Sequence, residues 1–376
     1  MITSSSARTA EAVTAFDENF YWTYPHSNGF LDGGAAVVLG RVAGGRFELV
    51  RHDLADGARR LLCSLPEPDG LSAPPYPDGL AVVTSLTRVL FWDIALAAPV
   101  LAIGDREGVW IFDLERGGEP RLVYRPPTGS RIDALVSLRS DGRRLLASRI
   151  TGDKERFATV EVDLETGRAT ELLEAGWWVS HAHYCPFDEA WVGICHEGDC
   201  TTIPDRVWGW HADKAPQGVP LFDQHWDDLE KRLNVGHERW CFHDRSVLAV
   251  AYGVGPGRPR GIYEIFPDGR PARLVSEGDR DWHVAPSRDG RWAVVDTTGP
   301  HDAPGKGWDQ AGRWSDIVLL DMETGRRLFL ARSRQVRHPS HPHPVFSPDG
   351  RWIYYNEVDE ACLRNRVMRV ENPWAA

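Results

Sequence analysis

The sequence predicts an all-β chain of the seven-bladed β-propeller class, on two recurring elements and the period that separates them. One element is a tight turn followed by an apolar run: Asp32-Gly33-Gly34 before AAVVLG, Ser140-Asp141-Gly142-Arg143 before RLLAS, Ser287-Arg-Asp289-Gly290-Arg291 before WAVVD, and Ser347-Pro-Asp349-Gly350-Arg351 before WIYYN. Asp-Gly between two strand-like runs is the strongest short hairpin signal. The second element is a strand ending in Asp-Leu/Met-x-x-Gly, with its Asp at 53, 113, 163 and 321. The gaps between these are 60, 50 and 158 residues, the last close to three periods, and Ile262-Tyr-Glu-Ile-Phe-Pro-Asp268-Gly269 marks one of the intervening units. A period of about 52 fits about seven units of four strands each, the repeat signature of a propeller. One such sheet cannot bury both of its faces; stacking sheets does.

Blade one is expected over about 21–65, blade two over 66–127, blade three over 131–175 and blade four over 177–222. Blades five, six and seven are expected to start near 234, 281 and 340. Blade two lacks the Asp-Gly turn in the expected place. Residues 1–14 read as a flexible arm before a single domain of residues 15–376, and the charged stretch 223–234, DQHWDDLEKRLN, as a surface helix. Trp292 and Trp352 occupy equivalent repeat positions and read as inter-blade core.

Composition narrows the functional classes. With 43 Lys+Arg against 54 Asp+Glu the net charge is −11, which opposes nucleic acid as a partner. Apolar residues at 42% suffice for a core. No apolar run is long enough for a membrane span, so no membrane partner is expected. The first residues lack a basic segment followed by an apolar one, so no secretory signal is read. Six cysteines without a C-x-x-C pair fit reduced thiols in a cytoplasmic protein. No G-x-S-x-G and no phosphate loop occurs.

The histidines carry the chemistry. His26, His283 and His343 each lie six residues before the Asp of a turn (Asp32, Asp289, Asp349). They thus hold one position in the first strand of their blades, the strand that lines a propeller's axis. His341 and His343 are two apart, the spacing that puts side chains on one side of a strand, and His338 precedes them. His283, His338, His341 and His343 therefore form a candidate four-imidazole site for a divalent cation. Gly236-His237-Glu238-Arg239-Trp240 opens blade five and His181-Ala-His183 opens blade four. Cys195-His196-Glu197-Gly198 and Asp205-Arg206 follow.

With these motifs the chain resembles the oligogalacturonate lyases, pectin-degrading polysaccharide lyases on seven-bladed propellers. Five places carry the likeness: Tyr24-Pro-His26, His196-Glu-Gly with Asp205-Arg206, Gly236-His-Glu-x-Trp240, Asp281-Trp-His283 and Ser340-His-Pro-His-Pro344. The resemblance implies a metal-dependent carbon–oxygen lyase that cleaves a uronate glycosidic bond by β-elimination and leaves an unsaturated uronate. It implies His283, His341 and His343 as metal ligands, with His338 where the family usually has Gln. It implies His237 as the proton-abstracting base, Arg206 as its cationic assistant and His196 as a substrate contact. Arg239 replaces the family's aromatic residue after Gly-His-Glu and adds a positive substrate contact, and His183 at the start of blade four joins the substrate contacts. Mn2+ is the expected metal by resemblance. An additional His at 338 shifts the donor set toward Fe2+, Ni2+ or Zn2+. A net charge of −11 repels a long polyanion at distance, so the expected substrate is a small anionic carbohydrate, met locally by Arg206, Arg239, Arg334 and Arg337. Two other readings stand beside this one: an epimerase or isomerase of a sugar acid at the same site, and a non-catalytic TolB-like binding propeller. Oligomeric state is left open.

Overall fold

The computed structural model describes residues 2–3, 9–67, 90–151, 156–200, 202–252, 258–303, 313–335, 340–359, 361 and 364–375. His338, Arg337, Cys362 and residues 68–89 of expected blade two lie outside them. The described residues form seven sheets, built mainly as antiparallel meanders, with two single-turn 3-10 segments as the helical elements. This is the predicted all-β, seven-bladed propeller.

Blade one is built from Phe30–Leu31, Ala36–Ala43, Arg46–Asp53 and Arg59–Pro66, and blade two from Trp92–Ile94, Val100–Asp105, Gly108–Asp113 and Arg121–Tyr124. Blade three runs over Ser130–Leu138, Arg144–Thr151, Phe157–Asp163 and Ala169–Ala175. Blade four runs over Val179–Tyr184, Trp191–His196, Val207–His211 and Ala215–Pro220. Blade five comprises Asn234–Trp240, Val247–Tyr252, Gly261–Ile265 and Arg273–Glu277, and blade six Asp281–Pro286, Trp292–Thr297, Trp314–Asp321 and Arg327–Arg334. Blade seven supplies Val345–Phe346, Trp352–Asp359 and Arg364–Glu371, and its outermost strand comes from the other end of the chain: Glu11–Ala12 pairs antiparallel with Arg364–Glu371. Ile2–Thr3 pairs in parallel with the last strand of blade six. The chain divides into two compact units, one of residues 1–20, 199–208 and 220–376, the other of 21–198 and 209–219.

Both recurring elements have a local cause. The Asp of each Asp-x-x-Gly element accepts backbone N–H groups within its own turn. Asp163 takes those of Glu165 and Thr166, Asp321 those of Glu323 and Thr324, and Asp113 those of Glu115 and Arg116. Those donors hold the Asp113 and Asp163 carboxyls below the usual range. The glycine that closes each turn sits in the left-handed region, Gly167 at φ 71 and Gly325 at φ 69. It is also where the blade meets its predecessor: a Cβ on Gly167 would stand 2.5 Å from the Val123 carbonyl oxygen, and one on Gly325 2.5 Å from that of Val275. The repeat thus retains Gly for conformation and for close approach together. In the other element, the Ser287 hydroxyl donates to Asp289 and accepts from the Trp292 N–H, and Ser347 does the same with Asp349 and Trp352.

Apolar side chains of the middle strands fill the spaces between sheets. Trp22, Trp92 and Trp240 are among the largest fully buried groups. Trp292 is buried beneath the Gly350 turn of blade seven, whereas Trp352 is only half-buried and carries the Arg369 guanidinium on its face. The stretch 223–234 is not a helix. Its residues form successive turns before blade five begins at Asn234, because Gln224 commits its side chain to the chain on either side: it accepts from the Arg206 N–H and donates to the Leu233 carbonyl.

Gly325→Ala is expected to lower stability by about 2 kcal/mol or more, through the left-handed backbone penalty and the carbonyl clash. The check is the urea midpoint of the full chain; an unchanged midpoint would refute this account of the repeat.

Candidate active site

The first strands of blades three to six each break register near their middle: between Ile132 and Val136, Ser180 and His183, Gly236 and Arg239, and Asp281 and Val284. Such bulges re-aim side chains away from strict alternation. Two histidines in these bulges have positive φ, His181 (54) and His237 (55), as does His343 (47) before the first strand of blade seven. For a non-glycine residue that backbone costs on the order of 1 kcal/mol and persists where surrounding structure imposes it.

In the first unit, His283, His341 and His343 converge. All three are buried, and each offers a ring nitrogen such that the three atoms lie within 4.8 Å of one another. The rings of His283 and His343 meet edge to face at 4.4 Å, and that of His341 lies 5.4 and 5.3 Å from them. His341 and His343 do not lie on a strand. The strand starts only at Val345, and the pair is aimed by irregular backbone with His343 left-handed. Asn356 fixes that segment, donating its side-chain amide to the His341 carbonyl and its N–H to the Pro342 carbonyl.

Asp296 organises the cluster. It is the penultimate residue of the second strand of blade six, Trp292–Thr297, and is fully buried. Its carboxylate accepts from His283 Nδ1 at 2.9 and 3.0 Å, from the His283 N–H at 2.8 Å and from the His343 N–H at 3.1 Å. Nδ1 therefore carries the proton and Nε2 presents its lone pair. Burial pushes the Asp296 carboxyl up to about 7, against the backbone donors that lower it. A carboxylate behind an imidazole is the usual support of a metal-bound histidine. Three neutral imidazoles so held suit a mid-series divalent ion. His283, His341 and His343 are thus brought together as expected of metal ligands; Asp296 is the component that motif reading missed. Its signal was a lone acid near the end of an otherwise apolar run, Trp292-Ala-Val-Val-Asp296.

His237 borders the triad, its ring 4.4 Å from that of His283 at 73°, and it is only half-buried. Trp282 stacks on His283 and packs on His341. Arg206 is buried, its backbone N–H held by Gln224 at 2.8 Å. Its guanidinium reaches the residue before His237: a Cβ on Gly236 would lie 3.3 Å from Arg206 Nε and 2.9 Å from Tyr252 Oη. The glycine of Gly-His-Glu is therefore the space that Arg206 occupies. Arg239 is half-buried with its guanidinium over Phe242.

In the second unit, His183 is buried and donates from Nδ1 to the His181 carbonyl. His196 packs on Trp177, with ring centroids 4.3 Å apart and planes tilted by 35°. His26, grouped with His283 and His343 by spacing, stacks on His183 at 4.6 Å and 6°.

The oligogalacturonate lyase family model matches residues 152–364, more than half of the chain. The chain belongs to the oligogalacturonate lyase family. It is 27% identical over 214 residues to the oligogalacturonate lyase of Dickeya dadantii (strain 3937) and 26% identical over 212 residues to the oligogalacturonide lyase of Pectobacterium atrosepticum. Each match covers 53% of this chain and 52% of the relative, so the chain spans about half the length of the curated relatives it matches. Among solved structures, the oligogalacturonate lyase of Vibrio parahaemolyticus superposes with a TM-score of 0.78 at 17% identity, over 99% of this chain and 96% of that one. An oligogalacturonate lyase in complex with manganese superposes with a TM-score of 0.73 at 18% identity, over 99% of both chains. These establish the family and the propeller. No helix among the described residues is long and apolar enough to cross a membrane.

Asp296→Asn is expected to weaken binding of a divalent cation, titrated as Mn2+ into the full chain, by about 10–100-fold. Equal affinity in the variant would remove Asp296 from the site.

Proposed function

We propose that this chain is a metal-dependent lyase that cleaves the glycosidic C–O bond of short oligogalacturonates by β-elimination. The observation that carries the reading is the packing of His237 on His283 of the buried triad, with the Arg206 guanidinium against the residue before His237. Family membership supports the same chemistry, and the relative solved with manganese supports Mn2+ as the ion. His338, outside the described residues, is proposed as the fourth ligand.

The elimination removes the proton α to the uronate carboxylate and expels the glycosidic oxygen at the β-carbon. His283, His341 and His343 would hold a divalent ion, and bound there it would supply positive charge to neutralise that carboxylate and acidify the α-proton. His237 takes the proton: imidazole exchanges protons near neutral pH, and this ring is half-exposed where the ligands are buried. Its left-handed backbone and its packing on His283 fix the direction of attack. Arg206, held from behind by Gln224, supplies a permanent positive charge toward the charge that develops on the substrate. Arg239 stands two residues further along the strand as a substrate contact. The net charge of −11 favours short substrates over a long polyanion.

Reprotonation in place of C–O cleavage would make the same residues an epimerase. Product analysis separates the two, since only elimination creates a conjugated double bond that absorbs in the ultraviolet.

For His237→Asn, retained Mn2+ stoichiometry and a fall in turnover of about 100-fold or more are expected. Loss of the metal would make His237 a ligand, and full turnover would end its role as base. Gly236→Ala should act through Arg206, lowering kcat while leaving bound metal unchanged; wild-type kcat would show that the guanidinium does not need that space.

A further inference from the structure

We infer that the second unit holds a metal site of its own, formed by His181, Cys195 and Glu197 in blade four, with the donor set of a zinc-class ion. The three residues are buried, and one ligand atom from each lies within 4.8 Å of the other two. His181 Nδ1 stands 3.3 Å from Glu197 Oε2, and Cys195 Sγ stands 3.5 Å from the same oxygen. A tetrahedral ion with bonds of about 2.0–2.1 Å to nitrogen and oxygen and about 2.3 Å to sulfur has edges of roughly 3.3 Å between nitrogen and oxygen and roughly 3.5 Å between sulfur and oxygen. The observed separations are those edges.

The surroundings hold the donors in place. His181 has a left-handed backbone at φ 54 in the bulge of its strand, and Tyr24 stacks on its ring at 5.4 Å and 14°. Its carbonyl accepts from His183 Nδ1, and its Nε2 is buried without a hydrogen bond. Glu197 leaves its strand at once: its N–H bonds the Trp178 carbonyl and its carboxylate accepts from the Gly198 N–H. The cluster therefore ties the first two strands of blade four to the loop that follows them.

Charge also favours a cation. Binding transfers the Cys195 thiol proton to solvent, leaving a thiolate, a carboxylate and a neutral imidazole around a divalent ion. That assembly is electrically neutral, which is what burial requires. The triad of the first unit is the opposite case, a cation among neutral ligands that keeps its charge for a substrate. Three protein ligands leave a fourth position, and thiolate selects zinc or cobalt over manganese.

The test is cobalt loading of the full chain, read by absorbance and elemental analysis, neither of which depends on turnover. Two equivalents of Co2+ and a thiolate-to-cobalt charge-transfer band in the near ultraviolet are expected. Cys195→Ser should remove the band and one equivalent, while His341→Ala removes the other equivalent and leaves the band. Glu197→Gln, which keeps the thiol, should weaken the band-forming event at least about 10-fold, with far-ultraviolet circular dichroism confirming that each variant is folded. A loaded wild type with no band, or a band that survives Cys195→Ser, overturns the site.

Discussion

The carboxylate of Asp296 is the constraint on which the rest of the candidate centre depends. It is wholly buried near the end of an apolar strand, a position that costs free energy unless its acceptor capacity is used. It takes one ring N–H and one backbone N–H from His283 and a backbone N–H from His343. One side chain thereby fixes a tautomer, a ring plane and the backbone of a left-handed residue in a different blade. His341 follows because it is two residues from His343 in a segment pinned by Asn356, and His237 follows because its ring packs on His283.

The fold was legible because the repeat is written in residues with narrow conformational options. Asp163 and Asp321 close their turns onto their own backbone, and Gly167 and Gly325 alone tolerate both the positive φ and the contact with the preceding blade. The site was legible in part. The six-residue spacing to the turn placed His283 and His343 together, since the turn sets the register of the strand before it. The same spacing also singled out His26, which stacks on His183 in the second unit. Alternation could not account for His341 and His343, because bulges and left-handed residues replace regular pleat where these inner segments present their side chains. Asp296 escaped because an acid near the end of a strand is ordinarily exposed. The role of 223–234 escaped because its charge pattern resembles a helix face, whereas Gln224 uses the segment as a clamp for Arg206.

Two buried clusters use related residues to opposite electrostatic ends. Neutral imidazoles in the first unit, backed by a carboxylate one layer out, would leave much of a bound cation's charge available to an anion. In the second unit a Cys195 thiolate formed on binding, together with Glu197, would cancel it. On the proposed assignments, donor type alone would suit the first centre to chemistry and the second to fastening strands.

The account stands most directly on where a metal goes in the first unit. Crystals of the full chain soaked in Mn2+ and measured across the manganese absorption edge would locate it. The expected result is an anomalous peak within bonding distance of ring nitrogens of His283, His341 and His343, with Asp296 still bonded to His283 Nδ1. A peak elsewhere in that unit, with the three rings unliganded, would contradict the account.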